Sequence, residues 1–219
     1  MSESITKYPC GTIYRDINQG DESWHSLRLG KVTASKIADI MSKGKGGAET
    51  AGLRNYRAAI LCERLTGIRE ETYANGAMAR GTELEPMARE CYEFLTGTTV
   101  EQVAFIDHPT IPMAGMSPDG LCGTDGLVEI KCPNTSNHID YLLSGKPPAQ
   151  YIPQMMFQMA CSGRSWCDFV SYDPRLSEDL QLFVVRLKRD DAYIATMEAN
   201  VIEFNNSVDA MLSELKRIR

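Results

Sequence analysis

The sequence lacks the long apolar runs and the paired cysteines that mark several classes of protein. No apolar run approaches the ~20 residues of a membrane-spanning helix, so we expect no membrane association. The first residues combine no basic start with an apolar core, so no secretory signal peptide is expected. Seven cysteines, without a Cys-x2-Cys pair, favour a reducing cytoplasm and argue against an iron–sulfur cluster.

Histidine and net positive charge are also scarce. The three histidines, His25, His108 and His138, are scattered, so a zinc site is not expected. The net charge of −6 argues against a broadly basic coat for nucleic acid, although it permits a locally basic channel inside an acidic exterior. With 219 residues, 43% of them hydrophobic, one soluble domain spanning 1–219 is the simplest organisation.

Periodicity predicts a mixed α/β chain without internal repeats. Helices are predicted near 21–29, 34–41, 52–66, 83–96, 150–162 and 190–216. Strands are predicted near 99–107, 111–117, 126–132, 166–172 and 180–187.

The most informative stretch is Asp119, a glycine-rich turn, and then Glu129-Ile130-Lys131. On a strand, Glu129 and Lys131 share one face, and a hairpin-like reversal returns Asp119 beside Glu129. Two carboxylates suit Mg²⁺ or Mn²⁺, with the Ile130 carbonyl as a third oxygen ligand. Lys131 would then orient a water and stabilise charge on a phosphate. Ordinary surface charges on a hairpin explain the same short pattern when it is taken alone.

Two further segments carry polar groups suited to such a site. Glu85 opens the predicted helix 83–96, where it either projects toward a metal or complements the helix dipole; the segment alone favours the dipole role. Gln154 and Gln158 lie one turn apart on the predicted helix 150–162. Their amides suit a phosphate or a water, but the segment alone favours a polar stripe on a methionine-rich core helix.

The N-terminal part combines an arginine with hydroxyls at a helix start. Arg28 ends a short predicted helix, and Thr33 or Ser35 is expected to cap the next one. Such a helix start beside an arginine can bind an anion, for which a phosphate is the obvious candidate. A capped helix with Arg28 as a solvated charge remains the alternative, and it is preferred for this segment alone.

In their order along the chain, these segments resemble the lambda-exonuclease-like (YqaJ-type) viral recombinases, a branch of the PD-(D/E)xK nucleases. The resemblance extends from near the start of the chain to its last third. The matching stretches are Gln19-Gly20-Asp21, Trp24-His25, Leu27-Arg28-Leu29-Gly30, Thr33-Ala34-Ser35, Gly81 with Glu85, Ser117-Pro118-Asp119-Gly120-Leu121-Cys122, Glu129 with Lys131-Cys132-Pro133, Tyr151 with Gln154, and Tyr172-Asp173-Pro174-Arg175.

The resemblance implies a restriction-endonuclease-like core, a central mixed β-sheet flanked by helices, in a single nuclease domain. It implies these roles: metal ligands Asp119, Glu129 and the Ile130 carbonyl; Glu85 as an outer or second-metal acid; Lys131 as the water-orienting lysine; Gln154 as the amide of the site. It further implies a pocket for a 5′-phosphate formed by Arg28, Thr33, Ser35 and Ser117. Met78 is the residue that would part the terminal base pair.

The activity implied is a metal-dependent, processive 5′→3′ exonuclease on double-stranded DNA, with two Mg²⁺ ions per site for which Mn²⁺ can substitute. The products would be 5′ mononucleotides and 3′ single-stranded overhangs for recombination by single-strand annealing. The implied partners are DNA ends, two further copies in a homotrimeric ring, and a single-strand annealing protein, in the cytoplasm of a bacterial or phage-infected cell. A restriction-like endonuclease and a non-catalytic DNA-end-binding protein are the alternatives.

Overall fold

The computed structural model describes residues 8–69 and 76–218 of the chain. The strands are β1 (Ile13–Tyr14), β2 (Val32–Thr33), β3 (Val100–Glu101), β4 (Phe105–Asp107), β5 (Ala114–Met116), β6 (Gly120–Cys122), β7 (Gly126–Lys131), β8 (Trp166–Tyr172) and β9 (Leu182–Lys188). The α-helices are α1 (Glu22–Arg28), α2 (Ile37–Met41), α3 (Ala51–Thr66), α4 (Gly76–Thr96), α5 (Thr135–Ser144), α6 (Ile152–Ser162) and α7 (Asp191–Arg217). Short 3₁₀ turns lie at Ala34–Lys36, Lys45–Gly47 and Ala149–Tyr151.

The strands form two sheets, of which the larger carries the predicted acid-x-lysine strand at its centre. Its order is β3-β6-β7-β8-β9, and the smaller sheet has the order β1-β4-β5-β2. Strand β7 pairs antiparallel with β6 and parallel with β8. A parallel pair needs a crossover connection, and α5 with α6 supply it between β7 and β8. The predicted mixed sheet flanked by helices is therefore present.

The larger sheet separates two groups of buried side chains. On one face Leu127 packs in the same cluster as Met155 of α6, and on the other face Val128 and Ile130 pack with Tyr92 of α4. This alternation follows from the two-residue period of a strand. It confirms the prediction that Val128 and Ile130 point into a core, away from the face that carries Glu129 and Lys131.

Helix α4 begins earlier than predicted. It starts at Gly76 rather than near residue 83, so Pro86 lies inside the helix instead of in its first turn. A proline there removes one backbone hydrogen bond. The helix packs against β7, β8 and β9, and such tertiary packing supplies most of the stability of a helix in a folded protein.

Other boundaries also differ from the predictions. The predicted strand 99–107 is two short strands, β3 and β4, in different sheets, and α5 was not predicted. No helix in the described ranges has the length and apolar character needed to cross a bilayer. The organisation of 1–219 as one domain stays a prediction.

Candidate active site

The β6–β7 hairpin brings Asp119 to the side of β7. Strand β6 begins at Gly120, which lies opposite Val128. Because the pair is antiparallel, the residue before Gly120, Asp119, lies beside Glu129. Asp119 Oδ2 accepts a hydrogen bond of 2.6 Å from the backbone N–H of Ile130. Gly120 is needed for the packing of β6 against β3, because a Cβ there would lie 2.0 Å from Val100 Cγ1. The hairpin-like return predicted from the turn residues is confirmed.

Glu129 is a fully buried carboxylate whose two oxygens are both held by α6. Gln154 Nε2 donates to Oε1 at 2.6 Å, and Gln158 Nε2 donates to Oε2 at 2.6 Å. The two amides reach one carboxylate because residues four apart share a helix face. Lys131 Nζ forms an ion pair with Glu129 Oε1, as expected for residues two apart on one strand face. The charge of Glu129 is thereby fixed in position.

The acid pair carries more negative charge than the described side chains neutralise. Burial raises the pKa of Asp119, the neighbouring charge of Glu129 raises it further, and Lys131 only partly opposes them. Burial by itself would lower the pKa of Lys131, but Glu129 and Asp119 raise it above its usual range. Lys131 is therefore charged, and Asp119 lacks a counter-charge of its own.

Glu85 belongs to the same electrostatic group. It contributes to the raised pKa of Asp119, so its carboxylate lies within interaction range of the pair. Glu85 Oε1 accepts a hydrogen bond of 2.7 Å from Arg89 Nη2, one turn further along α4. Because α4 begins at Gly76, Glu85 is not in its first turn, and the dipole effect is confined to the end turns. The interpretation that Glu85 complements the helix dipole is therefore wrong.

The donor set fits a hard divalent cation, although it is small. Among the described residues, no group of three or more His, Cys, Asp or Glu side chains is placed to hold a metal ion. The donors expected from the sequence are all oxygens: the Asp119 and Glu129 carboxylates, the Ile130 carbonyl and Glu85. Oxygen donors with surplus negative charge are what Mg²⁺ and Mn²⁺ prefer. A cation would also relieve the repulsion that raises the pKa of Asp119.

A second polar site lies just before Asp119 in the chain. Ser117 Oγ accepts hydrogen bonds from Arg28 Nη1 at 2.9 Å and from Trp24 Nε1 at 2.8 Å. The Arg28 guanidinium lies over the Trp24 ring, 4.4 Å from its centroid. Burial lowers the pKa of Arg28, so its charge is incompletely compensated. Two of the four residues predicted for the phosphate pocket, Arg28 and Ser117, are therefore in direct contact.

Thr33 lies close to the same place through sheet pairing, because Thr33 is opposite Gly115 in the β2–β5 pair. Its backbone N–H donates to the Tyr56 hydroxyl at 3.1 Å. Ser35 is exposed in the following 3₁₀ turn. The predicted capping role is wrong for both hydroxyls: α2 begins only at Ile37, and neither its N-cap nor that of the 3₁₀ turn has a side-chain hydrogen bond.

Gln19 joins the two sites. Its Nε2 donates to the Val103 carbonyl at 2.9 Å and to the Pro118 carbonyl at 2.8 Å. Pro118 separates Ser117 from Asp119, so this bond holds the segment in which these two residues are close neighbours. The two sites are consequently fixed relative to one another.

With this geometry established, the chain can be compared with known proteins. The model of the YqaJ-like viral recombinase domain matches residues 23–165. The chain belongs to the YqaJ-like viral recombinase domain family. No functionally curated protein matches the sequence significantly.

Solved structures agree with this family. The alkaline exonuclease LHK-Exo from Laribacter hongkongensis is 53% identical, with a TM-score of 0.84 over 90% of this chain and 97% of that chain. LHK-Exo in complex with dAMP matches with a TM-score of 0.85 at the same identity and coverage. A phage-related exonuclease from Haemophilus somnus, 17% identical over 84% of this chain and 96% of that chain, has a TM-score of 0.69 and supports the fold alone. These matches confirm the predicted fold, that of the PD-(D/E)xK nucleases, and the predicted enzyme class, an exonuclease.

Within this YqaJ-like domain, sequence reasoning missed several residues. The resemblance implies a site role for Gln154 alone, yet Gln158 holds the second oxygen of Glu129. Trp24 is part of the family resemblance, but no site role was predicted for it. Nothing in the sequence marks Tyr56, because only the fold brings its hydroxyl to the Thr33 backbone. Met78 lies in the first turn of α4, and its side chain falls outside the described part of the chain.

Proposed function

We propose that the chain is a metal-dependent, processive exonuclease that degrades double-stranded DNA in the 5′→3′ direction. The products are 5′ mononucleotides and a 3′ single-stranded overhang used in single-strand annealing. The observation that carries this proposal is the adjacency of two sites. The Arg28–Ser117 contact and the Asp119–Glu129–Lys131 cluster meet on one segment, only two residues apart.

This adjacency supports end recognition rather than cutting within a chain. Two residues span at most about 7 Å. A terminal 5′-phosphate on Arg28, Ser117, Thr33 and Ser35 would therefore leave the first phosphodiester bond at the acid cluster. Arg28 is partly buried, and its neighbours offset only part of the lowering of its pKa by burial, which supports an anion there. Each cut would release one nucleotide, and the new 5′-phosphate would take the place of the old one.

The side chains of the cluster have separate tasks in this mechanism. Asp119, Glu129, the Ile130 carbonyl and Glu85 would hold two Mg²⁺ ions, for which Mn²⁺ would substitute. The bound metal supplies Lewis-acid stabilisation of the phosphate and lowers the pKa of a water. Lys131 holds the attacking water in line and offsets charge on the phosphate. Gln154 and Gln158 keep Glu129 in one orientation, so that little reorganisation is needed during the reaction.

The remaining parts of the proposal rest on the family resemblance. We infer a homotrimeric ring that admits duplex DNA, a single-strand annealing protein as partner, Met78 as the residue that parts the terminal base pair, and a cytoplasmic location. A net charge of −6 is compatible with a protein that contacts DNA only inside a channel. Sedimentation of the pure protein at several concentrations tests the trimer.

The decisive experiment is digestion of a linear duplex labelled at one 5′ end, prepared with either a 5′-phosphate or a 5′-hydroxyl, in Mg²⁺ and in EDTA. We expect 5′ mononucleotides from the phosphorylated duplex in Mg²⁺ alone. A closed circular duplex is the control and should survive. Cutting of the circle would establish the endonuclease alternative. End binding without any cutting would establish the non-catalytic alternative.

A further inference from the structure

Two arginines converge on one buried aspartate at the end of β8. Asp173 is fully buried, and Arg175 Nε and Nη2 donate to its two oxygens at 2.7 and 2.8 Å. Thr135 Oγ1 donates to Oδ2 at 2.7 Å, and Arg80 Nη2 approaches Oδ1 at 3.4 Å. These hydrogen bonds, led by Arg175, hold the pKa of Asp173 well below its usual range. One negative charge therefore meets two positive charges, and the group has a net charge of +1.

This group lies beside the acid cluster. Arg80 Nη1 donates to the Pro133 carbonyl at 2.6 Å and to the Cys132 carbonyl at 3.3 Å, immediately after Lys131. Arg80 thus binds the backbone that directly continues the strand of Glu129 and Lys131.

A second arginine–aspartate pair, on β8 and β9, provides a comparison for the surplus positive charge around Asp173. Arg186 donates to both oxygens of Asp168 at 2.8 and 2.9 Å, in the same two-bond arrangement. Its side chain is 49% exposed, against 52% for Arg175. However, Asp168 receives its remaining hydrogen bond from the Tyr92 hydroxyl, so that group is neutral. Arg186 also lies 3.5 Å from the Trp166 ring centroid, which covers one face of its guanidinium.

We propose that Arg80 and Arg175 bind a backbone phosphate of the DNA strand that lies across the acid cluster, and this proposal rests on the proposed function. Asp173 fixes both guanidiniums while leaving a surplus positive charge beside the site. Arg80 is 30% exposed and Arg175 is half-exposed, so a phosphate can reach both. Arginine is well suited to phosphate because its planar fork donates several hydrogen bonds. In a chain with a net charge of −6, such a local surplus matters for a polyanionic ligand.

The test is equilibrium binding of a 5′-phosphorylated duplex in EDTA, measured between about 50 and 200 mM salt. For Arg175→Ala we expect the slope of log affinity against log salt to become shallower by about 0.9, since one phosphate contact is lost. Affinity at the lowest salt should fall by about three- to tenfold. Arg175→Lys keeps the charge and should keep the parental slope. Arg186→Ala, the matched control, removes the same charge from a similarly exposed pair and should also keep it.

The proposal is overturned if Arg175→Ala retains the parental slope, or if Arg186→Ala makes the slope shallower by the same amount. Thermal melting establishes that each variant is folded. If Arg175→Ala does not fold, Arg175→Gln, which can still donate to Asp173, carries the same test. Because binding in EDTA needs no cleavage, a parent protein that binds ends without cutting them would defeat the proposed function while leaving this result interpretable.

Discussion

The acid cluster (Asp119, Glu129 and Lys131) and the end pocket, the proposed 5′-phosphate site around Arg28 and Ser117, carry opposite excess charge. The acid cluster has excess negative charge that a cation would balance, and the end pocket has positive charge that an anion would balance. Burial and Glu129 raise the pKa of Asp119, so the first site holds a carboxylate without its cation. Burial lowers the pKa of Arg28, and Tyr56 and Glu63 raise it only in part, so the second site holds a cation that its neighbours compensate incompletely. A divalent metal would balance the charge of the acid cluster, and a terminal phosphate would balance the charge of Arg28.

The two sites also differ in how firmly they are built. Both oxygens of Glu129 and one oxygen of Asp119 are held by hydrogen bonds from α6 and from the backbone of β7. In the pocket, the Arg28 guanidinium contacts a hydroxyl and a ring, and Ser35 is exposed. Chemistry needs groups that are already in place, whereas a pocket that must accept and release a phosphate many times benefits from open positions.

The largest expected effect comes from removing the cation of the acid cluster. Lys131→Met should lower kcat by about 10³-fold or more, because the group that orients the water is lost. Binding of the phosphorylated duplex in EDTA should be retained, because the proposed contacts to the terminal phosphate are made by Arg28 and Ser117 rather than by Lys131. Single-turnover cleavage and binding are measured on the same preparation. Lys188→Met, at an exposed lysine of β9, is the control. If the Lys131 variant cleaves at the parental rate, Lys131 has no role in the mechanism.

Asp119→Asn should separate activity from stability. Cleavage should fall by about 10²-fold. The metal-free variant should melt about 2–4 °C higher at pH 8 for each kcal/mol of relieved repulsion. The sign follows from the raised pKa of Asp119: the folded state holds its proton more tightly, so stability is lost as pH rises from the ordinary carboxyl range. An asparagine oxygen can still accept from Ile130.

Mg²⁺ gives the companion measurement for this variant. Adding Mg²⁺ should raise the melting temperature of the parent and have little effect on Asp119→Asn, because the ion stabilises only a fold that binds it. Asp179→Asn, at an exposed acid between β8 and β9, should behave as the parent in both respects. An unchanged melting temperature in metal-free Asp119→Asn would contradict the idea of an uncompensated carboxylate.

The acid cluster was largely predictable from sequence because its geometry is local. A strand's two-residue period places Glu129 beside Lys131, and a glycine turn returns Asp119; both expectations are confirmed. The end pocket was less predictable because it is assembled from distant parts of the chain. Nothing near Tyr56 indicates that its hydroxyl will meet the Thr33 backbone, and nothing near Trp24 indicates Ser117.

Helix α4 shows a different limit of sequence reasoning. Acids and a proline resembled a helix start near residue 83, but packing on the sheet extends α4 back to Gly76. The segment alone therefore favours a dipole role for Glu85, whereas the structure places it within electrostatic range of Asp119, near the position that the resemblance implies. Gln158 shows a related limit, because only the position of β7 in the fold shows that its amide meets the Glu129 carboxylate.

Arg28→Ala tests the end pocket itself. The preference for 5′-phosphate over 5′-hydroxyl ends, measured as the ratio of kcat/KM, should fall by about 10- to 100-fold, since a charge-assisted contact is lost. Cleavage of the 5′-hydroxyl duplex should be nearly unchanged. Arg15→Ala, an exposed arginine paired with Glu101, is the control. If the preference survives the loss of Arg28, the terminal phosphate is recognised elsewhere.

Ser117→Ala should have the smallest effect of this series, and it asks whether the hydroxyl acts on the phosphate or through Arg28. Its oxygen accepts from both Arg28 and Trp24, so its loss should reduce the end preference by about two- to tenfold, the worth of one neutral hydrogen bond. Ser213→Ala, at an exposed position of α7, is the control. If Ser117 acts by holding the guanidinium, the double variant with Arg28→Ala should be no worse than Arg28→Ala alone. If the two effects instead multiply, the hydroxyl contacts the phosphate independently, and the pocket is less dependent on a single arginine than the acid cluster is on its lysine.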